Sequence, residues 1–144
     1  KKSKDEELNR AKNITREPVE TLKPAGKIRF TARKAEIKAE SLAILQKFAA
    51  FLLSTPAIKK IQVAVHTDGL GDQQKKMALS QKRAERLMRL LIESGVSSDR
   101  ISARGFGATR PLASDETAQG RAQNRRVDFL VMEKKTDATE EEGT

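Results

Sequence analysis

Residues 61–86 read IQVAVHTDGLGDQQKKMALSQKRAER. Ile61, Val63 and Val65 alternate with Gln62 and Ala64, the period-two pattern of a strand. The strand runs into His66-Thr67-Asp68, turns at Gly69-Leu70-Gly71, and passes into a long helical pattern that carries Leu79, Ser80, Arg83 and Ala84. A carboxylate therefore stands at the end of a strand, and a guanidinium stands on the next helix fifteen residues later. If the helix folds back on the strand, the two side chains face one pocket. The spacing leaves two readings open: an ordinary strand–helix salt bridge, or a site for a zwitterion that carries an ammonium beside a carboxylate.

Working upstream, Leu42, Leu45, Phe48, Ala49 and Leu52 recur every three or four residues, which predicts a helix over 38–54 with one apolar stripe. Thr55-Pro56 ends it, because a residue before proline avoids the helical region. Lys27 to Phe30, with Ile28 and Phe30 on one face, is expected to be a short strand. Downstream, the second helix is expected over 73–94, with Ala84, Leu87, Met88 and Leu91 buried and Gly95 closing its end. Arg100 to Phe106 predicts a third strand, bent where Gly105 and Gly107 flank Phe106. A long loop, 108–123, follows. Val127, Phe129 and Val131 alternate in a last strand. The Asn124-Arg125-Arg126 run before it reads as structural, one arginine bracing the loop and the other facing solvent. The order β-α-β-α-β-loop-β implies parallel strand pairs with right-handed crossovers, hence a two-layer α/β sandwich with both helices on one face of the sheet.

The 144 residues suit one domain with loose ends. Residues 1–26 are dense in charge and interrupted by Pro18 and Pro24, and read as a linker, helical for at most a few turns. The domain is expected over 27–133, and 134–144 reads as a disordered acidic tail. Cysteine is absent and His66 is the single histidine, which excludes disulfides, thiolate metal sites and a multi-histidine centre. No apolar run approaches the ~20 residues of a membrane-spanning helix. The formal charge of +9 favours anionic partners. Nucleic acid is disfavoured: there is no Trp, no Tyr and only five Phe, of which Phe48, Phe51 and Phe129 fall at core-like positions.

These pieces resemble the OmpA-like peptidoglycan-binding domain of outer-membrane proteins, peptidoglycan-associated lipoproteins and, in divergent form, flagellar stator proteins. The resemblance spans roughly 27–132 and rests on His66-Thr67-Asp68, Gly71, Leu79-Ser80, Arg83-Ala84, Gly95-Val96, Arg100-Ile101, Gly105-Phe106-Gly107, Pro111, Thr117, Gly120-Arg121 and Asn124-Arg125-Arg126-Val127. It implies a β-α-β-α-β-β sandwich with a mixed sheet. It also implies a periplasmic, non-catalytic cell-wall anchor, tethered to the outer membrane through an upstream segment and needing no cofactor or metal. By resemblance, Asp68 binds the side-chain ammonium of meso-diaminopimelate in the peptidoglycan stem peptide. Arg83 binds the neighbouring carboxylate, backbone N–H groups around Thr67 and Leu79 complete the pocket, and His66 is structural. A fork of guanidinium donors suits a carboxylate, and a carboxylate accepts from an ammonium.

Three positions depart from the family pattern. Val65 replaces a glycine, Lys76 an asparagine that helps line the pocket, and Arg33 an aspartate that faces the ligand. The two cations are expected to retune the site toward a more anionic stem peptide or to swing into solvent. They also keep a second function class open: an OmpA-like fold used as an interaction module for an envelope protein or an anionic polymer, with peptidoglycan binding altered or lost.

Overall fold

The computed structural model describes residues 17–135. Its elements are β1 (Glu20–Leu22), α1 (Ala39–Leu53), β2 (Ile58–His66), α2 (Gln73–Glu93), a 3-10 turn (Ser98–Arg100), β3 (Ile101–Gly107), α3 (Ala118–Asn124) and β4 (Arg126–Lys134). The sheet order is β1-β4-β2-β3. β2 and β3 run parallel across α2, and β4 is antiparallel to β2 and to β1. The result is a mixed four-stranded sheet, as expected.

The core lies between the sheet and the two long helices. From α1 it takes Leu45, Phe48, Ala49 and Leu52; from α2, Ala84, Leu87 and Leu91; from the strands, Ile61, Val63, Val65, Ile101, Phe129 and Val131. Phe48 packs on Phe129 with ring centroids 4.2 Å apart. Phe51, expected in the core, is 42% exposed. It sits one position before Leu52, on the flank of the α1 stripe. On the opposite sheet face, register aligns Ala64 with Arg104 and Asp128, and His66 with Arg126. Long side chains there cover the central strand, so Gln62, Ala64 and His66 are buried too.

The first strand differs from expectation. It is Glu20–Leu22, inside the stretch read as linker, with Val19 N–H donating to Val131 O at 2.7 Å. Pro18 and Pro24 confine it to a few residues, because proline brings no N–H to a ladder. Lys27–Phe30 is not a sheet strand. It folds back on 36–38 through Thr31 N to Glu36 O (2.8 Å) and Lys38 N to Arg29 O (3.1 Å), with a single bridge between Phe30 and Ile37. Ser41 of α1 takes the remaining polar groups, accepting from Arg29 N at 2.7 Å. At the other end, β4 continues to Lys134 and Lys135 N–H donates to Ala57 O, so the strand passes the expected start of the tail. The rest of that tail and the first part of the expected linker lie outside the described residues.

Two local devices position the site. Asp72 caps α2, its Oδ1 accepting from Gln74 N and Lys75 N at 2.9 and 3.1 Å. Gly95, at φ 111°, ends the helix as expected. Gly95 N–H donates to Ile92 O and Val96 N–H to Leu91 O, the paired bonds of a Schellman close. The expected 108–123 loop contains α3, capped by Thr117 Oγ1 on Gly120 N. Its sequence AQGRAQN shows no apolar stripe, so periodicity could not reveal it.

Candidate functional site

β2 ends at the carboxyl edge of the parallel pair, where α/β sheets place ligand sites. A register shift between Val65 and His66 lets pairing with β3 continue beyond the strand, Thr67 N–H donating to Gly107 O at 2.9 Å. Gly107 is at φ 56°, a conformation glycine adopts freely. Thr67 Oγ1 donates to Asp68 O at 2.8 Å, and the chain leaves the sheet with the Asp68 side chain buried.

Asp68 closes the turn by accepting from Leu70 N at 3.1 Å on Oδ1. The Lys76 ammonium donates to the same oxygen. Arg125 Nη1 donates to Oδ2 at 2.7 Å. Burial alone would raise the Asp68 pKa, but the hydrogen bonds from Lys76, Arg125 and Leu70 outweigh it and lower the pKa to about 2. Asp68 is thus an ionised carboxylate held by two cations.

Lys76, Leu79, Ser80 and Arg83 follow at helical spacing along one face of α2. Ser80 turns inward and accepts from Gly107 N–H at 2.9 Å. Leu79 is half-buried. Arg83 reaches away from Asp68, across to the turn after Phe30. Its Nε donates to Lys34 O at 2.7 Å and its Nη2 to Thr31 O at 3.2 Å, and its guanidinium lies over the Phe30 ring, 4.8 Å from the centroid. Arg33 is the exposed tip of that turn, at φ 60°.

The structure therefore joins Thr67, Asp68 and Lys76 in one cluster and holds Arg83 and Arg33 in a second. Leu79 lies between Lys76 and Arg83 along α2. Among the described residues the ionic partners of Asp68 are Lys76 and Arg125, not Arg83. Of the backbone N–H groups expected around Thr67 and Leu79, those of the two residues themselves are bonded within the fold. The Thr67 amide bonds Gly107, and Leu79 lies beyond the first turn of α2, where amides are bonded within the helix.

Arg125 is the site residue that sequence reasoning missed. The signal lay in strand direction. Antiparallel pairing of His66 with Arg126 sets the start of β4 beside the end of β2, and so brings the preceding residue to Asp68. Arg126 does brace the loop, donating to Arg110 O at 3.1 Å, and also bonds Asp128.

The OmpA family model matches residues 29–125. The chain belongs to the OmpA family. Outer membrane porin F of Pseudomonas fluorescens is 39% identical over 104 residues, which are 72% of this chain and 32% of the porin. Peptidoglycan-binding protein ArfA of Mycobacterium bovis is 33% identical over 106 residues, 74% of this chain and 32% of that protein. The chain thus spans about a third of the length of both relatives. Among solved structures, the peptidoglycan-associated lipoprotein from Burkholderia pseudomallei superposes with a TM-score of 0.63 at 31% identity, covering 75% of this chain and 89% of that one.

Proposed function

We propose that the chain is a non-catalytic peptidoglycan-binding domain that holds an envelope protein to the cell wall in the periplasm. In this reading it grips the diaminopimelate of the stem peptide in the groove between the end of β2 and the first half of α2. The carrying observation is Asp68 of the His66-Thr67-Asp68 motif: a buried, ionised carboxylate at the carboxyl edge of the sheet, in a chain of this family. Asp68 accepts from the ligand ammonium. Arg83, with Nη1 outside its two backbone bonds, takes the neighbouring carboxylate. Thr67 and Leu79 line the groove, and Lys76 and Arg33 are its charged rim. The relatives named for peptidoglycan support this reading.

The test is co-sedimentation with isolated sacculi. Asp68→Ala and Arg83→Ala should each weaken binding about tenfold or more, the worth of one charge-assisted hydrogen bond, with the thermal transition retained. Binding should be strong to diaminopimelate-type sacculi and weak to lysine-type. If both variants sediment like the parent, the site assignment fails. A second reading, an interaction module for an envelope protein or anionic polymer, is favoured by one observation: both oxygens of Asp68 are already engaged by cations of the chain. It predicts capture of acidic polymers regardless of stem peptide and unaffected by Asp68→Ala.

A further inference from the structure

Lys76 and Arg125 engage Asp68 at the end of β2, and Arg83 stands two turns beyond Lys76 on α2. Lys76 is seated there. It leaves the first turn of α2, its side chain is 24% exposed, and its Cε lies where a Cβ on residue 71 would meet it, a position occupied by Gly71 at the left-handed φ of 96°. Its ammonium rests on Asp68 Oδ1 while Arg125 holds Oδ2. A ligand that brings a primary ammonium to Asp68 therefore meets an oxygen already bonded to the same chemical group. Either Lys76 is displaced, or a further cation crowds a site with excess positive charge. A ligand carboxylate meets no such conflict, because Arg83 and Arg125 attract it.

We infer that Lys76 is a specificity-determining residue that stands in for the ligand ammonium, so that the groove takes stem peptides whose side-chain amine is acylated, as in a cross-link between stems, at least as well as those whose amine is free. The inference rests on the stem-peptide reading given above and replaces one contact in it: in the parent chain Lys76, not the ligand ammonium, occupies Asp68 Oδ1. Acylation removes the positive charge and leaves a neutral amide, while the carboxylate that Arg83 would grip is unchanged. The Lys76–Asp68 contact then survives binding. With a neutral side chain at 76, Asp68 Oδ1 is open and a free amine becomes the better ligand.

The experiment uses two synthetic stem peptides that differ only in the diaminopimelate side-chain amine, free or N-acetylated. Affinities for the full chain are measured by calorimetry, alongside Lys76→Asn and Lys76→Met. The parent should bind the acetylated peptide as tightly as the free one or tighter. Both variants should shift the ratio toward the free amine by about tenfold or more. Thermal unfolding checks that the variants fold. NMR titration of the Asp68 carboxyl, held low in the parent, should show its pKa rising in both. A parent preference for the free amine that stays the same in both variants would overturn the role of Lys76 and leave the stem-peptide reading standing. Failure of every protein to bind either peptide would remove that reading, and this inference with it.

Discussion

Asn124 does for the loop after β3 what no charged residue could. Its Oδ1 accepts from Leu112 N (2.7 Å) and Ala113 N (2.9 Å), and its Nδ2 donates to Ala113 O and Asp115 Oδ1, both at 2.9 Å. The side chain is fully buried, and one amide satisfies four polar groups of the loop after β3. Asn124→Ala should lower stability by about 3 kcal/mol, because it strands backbone groups with no replacement partner. Urea denaturation should show a lower midpoint with the slope unchanged. At this scale the sequence was partly readable. The motif spacing pointed to Asp68, and the family resemblance to Lys76 beside it. The second partner of Asp68 was hidden because the side-by-side placement of His66 and Arg126 belongs to strand pairing, not to any local pattern. The direction of Arg83 was hidden because its acceptors, Thr31 O and Lys34 O, are offered by a turn with Arg33 at positive φ. A non-glycine residue seldom takes that conformation, and composition gives no sign of it.

The elements show how a sheet with two edges is kept from pairing with other chains. β3 is an edge strand, but α2 lies along its free side. Gln81 Oε1 accepts from Gly105 N–H at 2.7 Å, Gln81 Nε2 donates to Ala103 O, and Ser80 Oγ accepts from Gly107 N–H. Side chains of a helix thus complete the ladder of a strand. This contact requires Gly105, where a Cβ would collide with the backbone of Ser80 and Gln81. Gly105→Ala should push α2 off β3 and destabilise the domain by about 3 kcal/mol. Amide exchange at Gly105 and Gly107 should quicken more than in the core of β4. A variant with parental stability would mean that α2 is free to shift. The other edge is β1, kept short by its flanking prolines. Long periodic helices and alternating strands announced themselves in the sequence, and α1 and α2 fall within a residue or so of their expected ends. β1 and α3 did not, since three residues cannot display a period and α3 is held by a cap and Asn124, not by an apolar stripe.

Across the whole molecule, the sheet face opposite the helices shapes the response to acid. His66 stacks flat on Phe106, with centroids 5.0 Å apart and planes at 5°. Arg104 and Arg110 lie over the same ring. His66 Nε2 is 3.7 Å from Asp128 Oδ2, and Nδ1 is buried without a hydrogen-bond partner. Burial lowers the His66 pKa to about 4; Arg126 and Arg110 push the same way, and Asp128 opposes them. The unfolded chain takes up this proton near 6.5, whereas the folded chain resists it until about 4. Between those values the unfolded state binds more protons, so stability falls as pH falls. The loss should be complete below about pH 4 and amount to at most about 3 kcal/mol. Asp68 acts lower. Its folded pKa lies below its unfolded one, so its contribution is intact above about 3.8 and is lost as pH falls through about 2. The net charge of +9 adds a background of self-repulsion that also grows in acid. Subtraction isolates the histidine. Urea unfolding of the parent and of His66→Gln, measured from pH 7.5 to 4 (roughly the window set by the two pKa values), should give a difference curve that slopes through this range and flattens above it. A difference curve flat throughout would mean that His66 protonates as easily in the folded chain as in the unfolded one, and that the outer face of the sheet admits water.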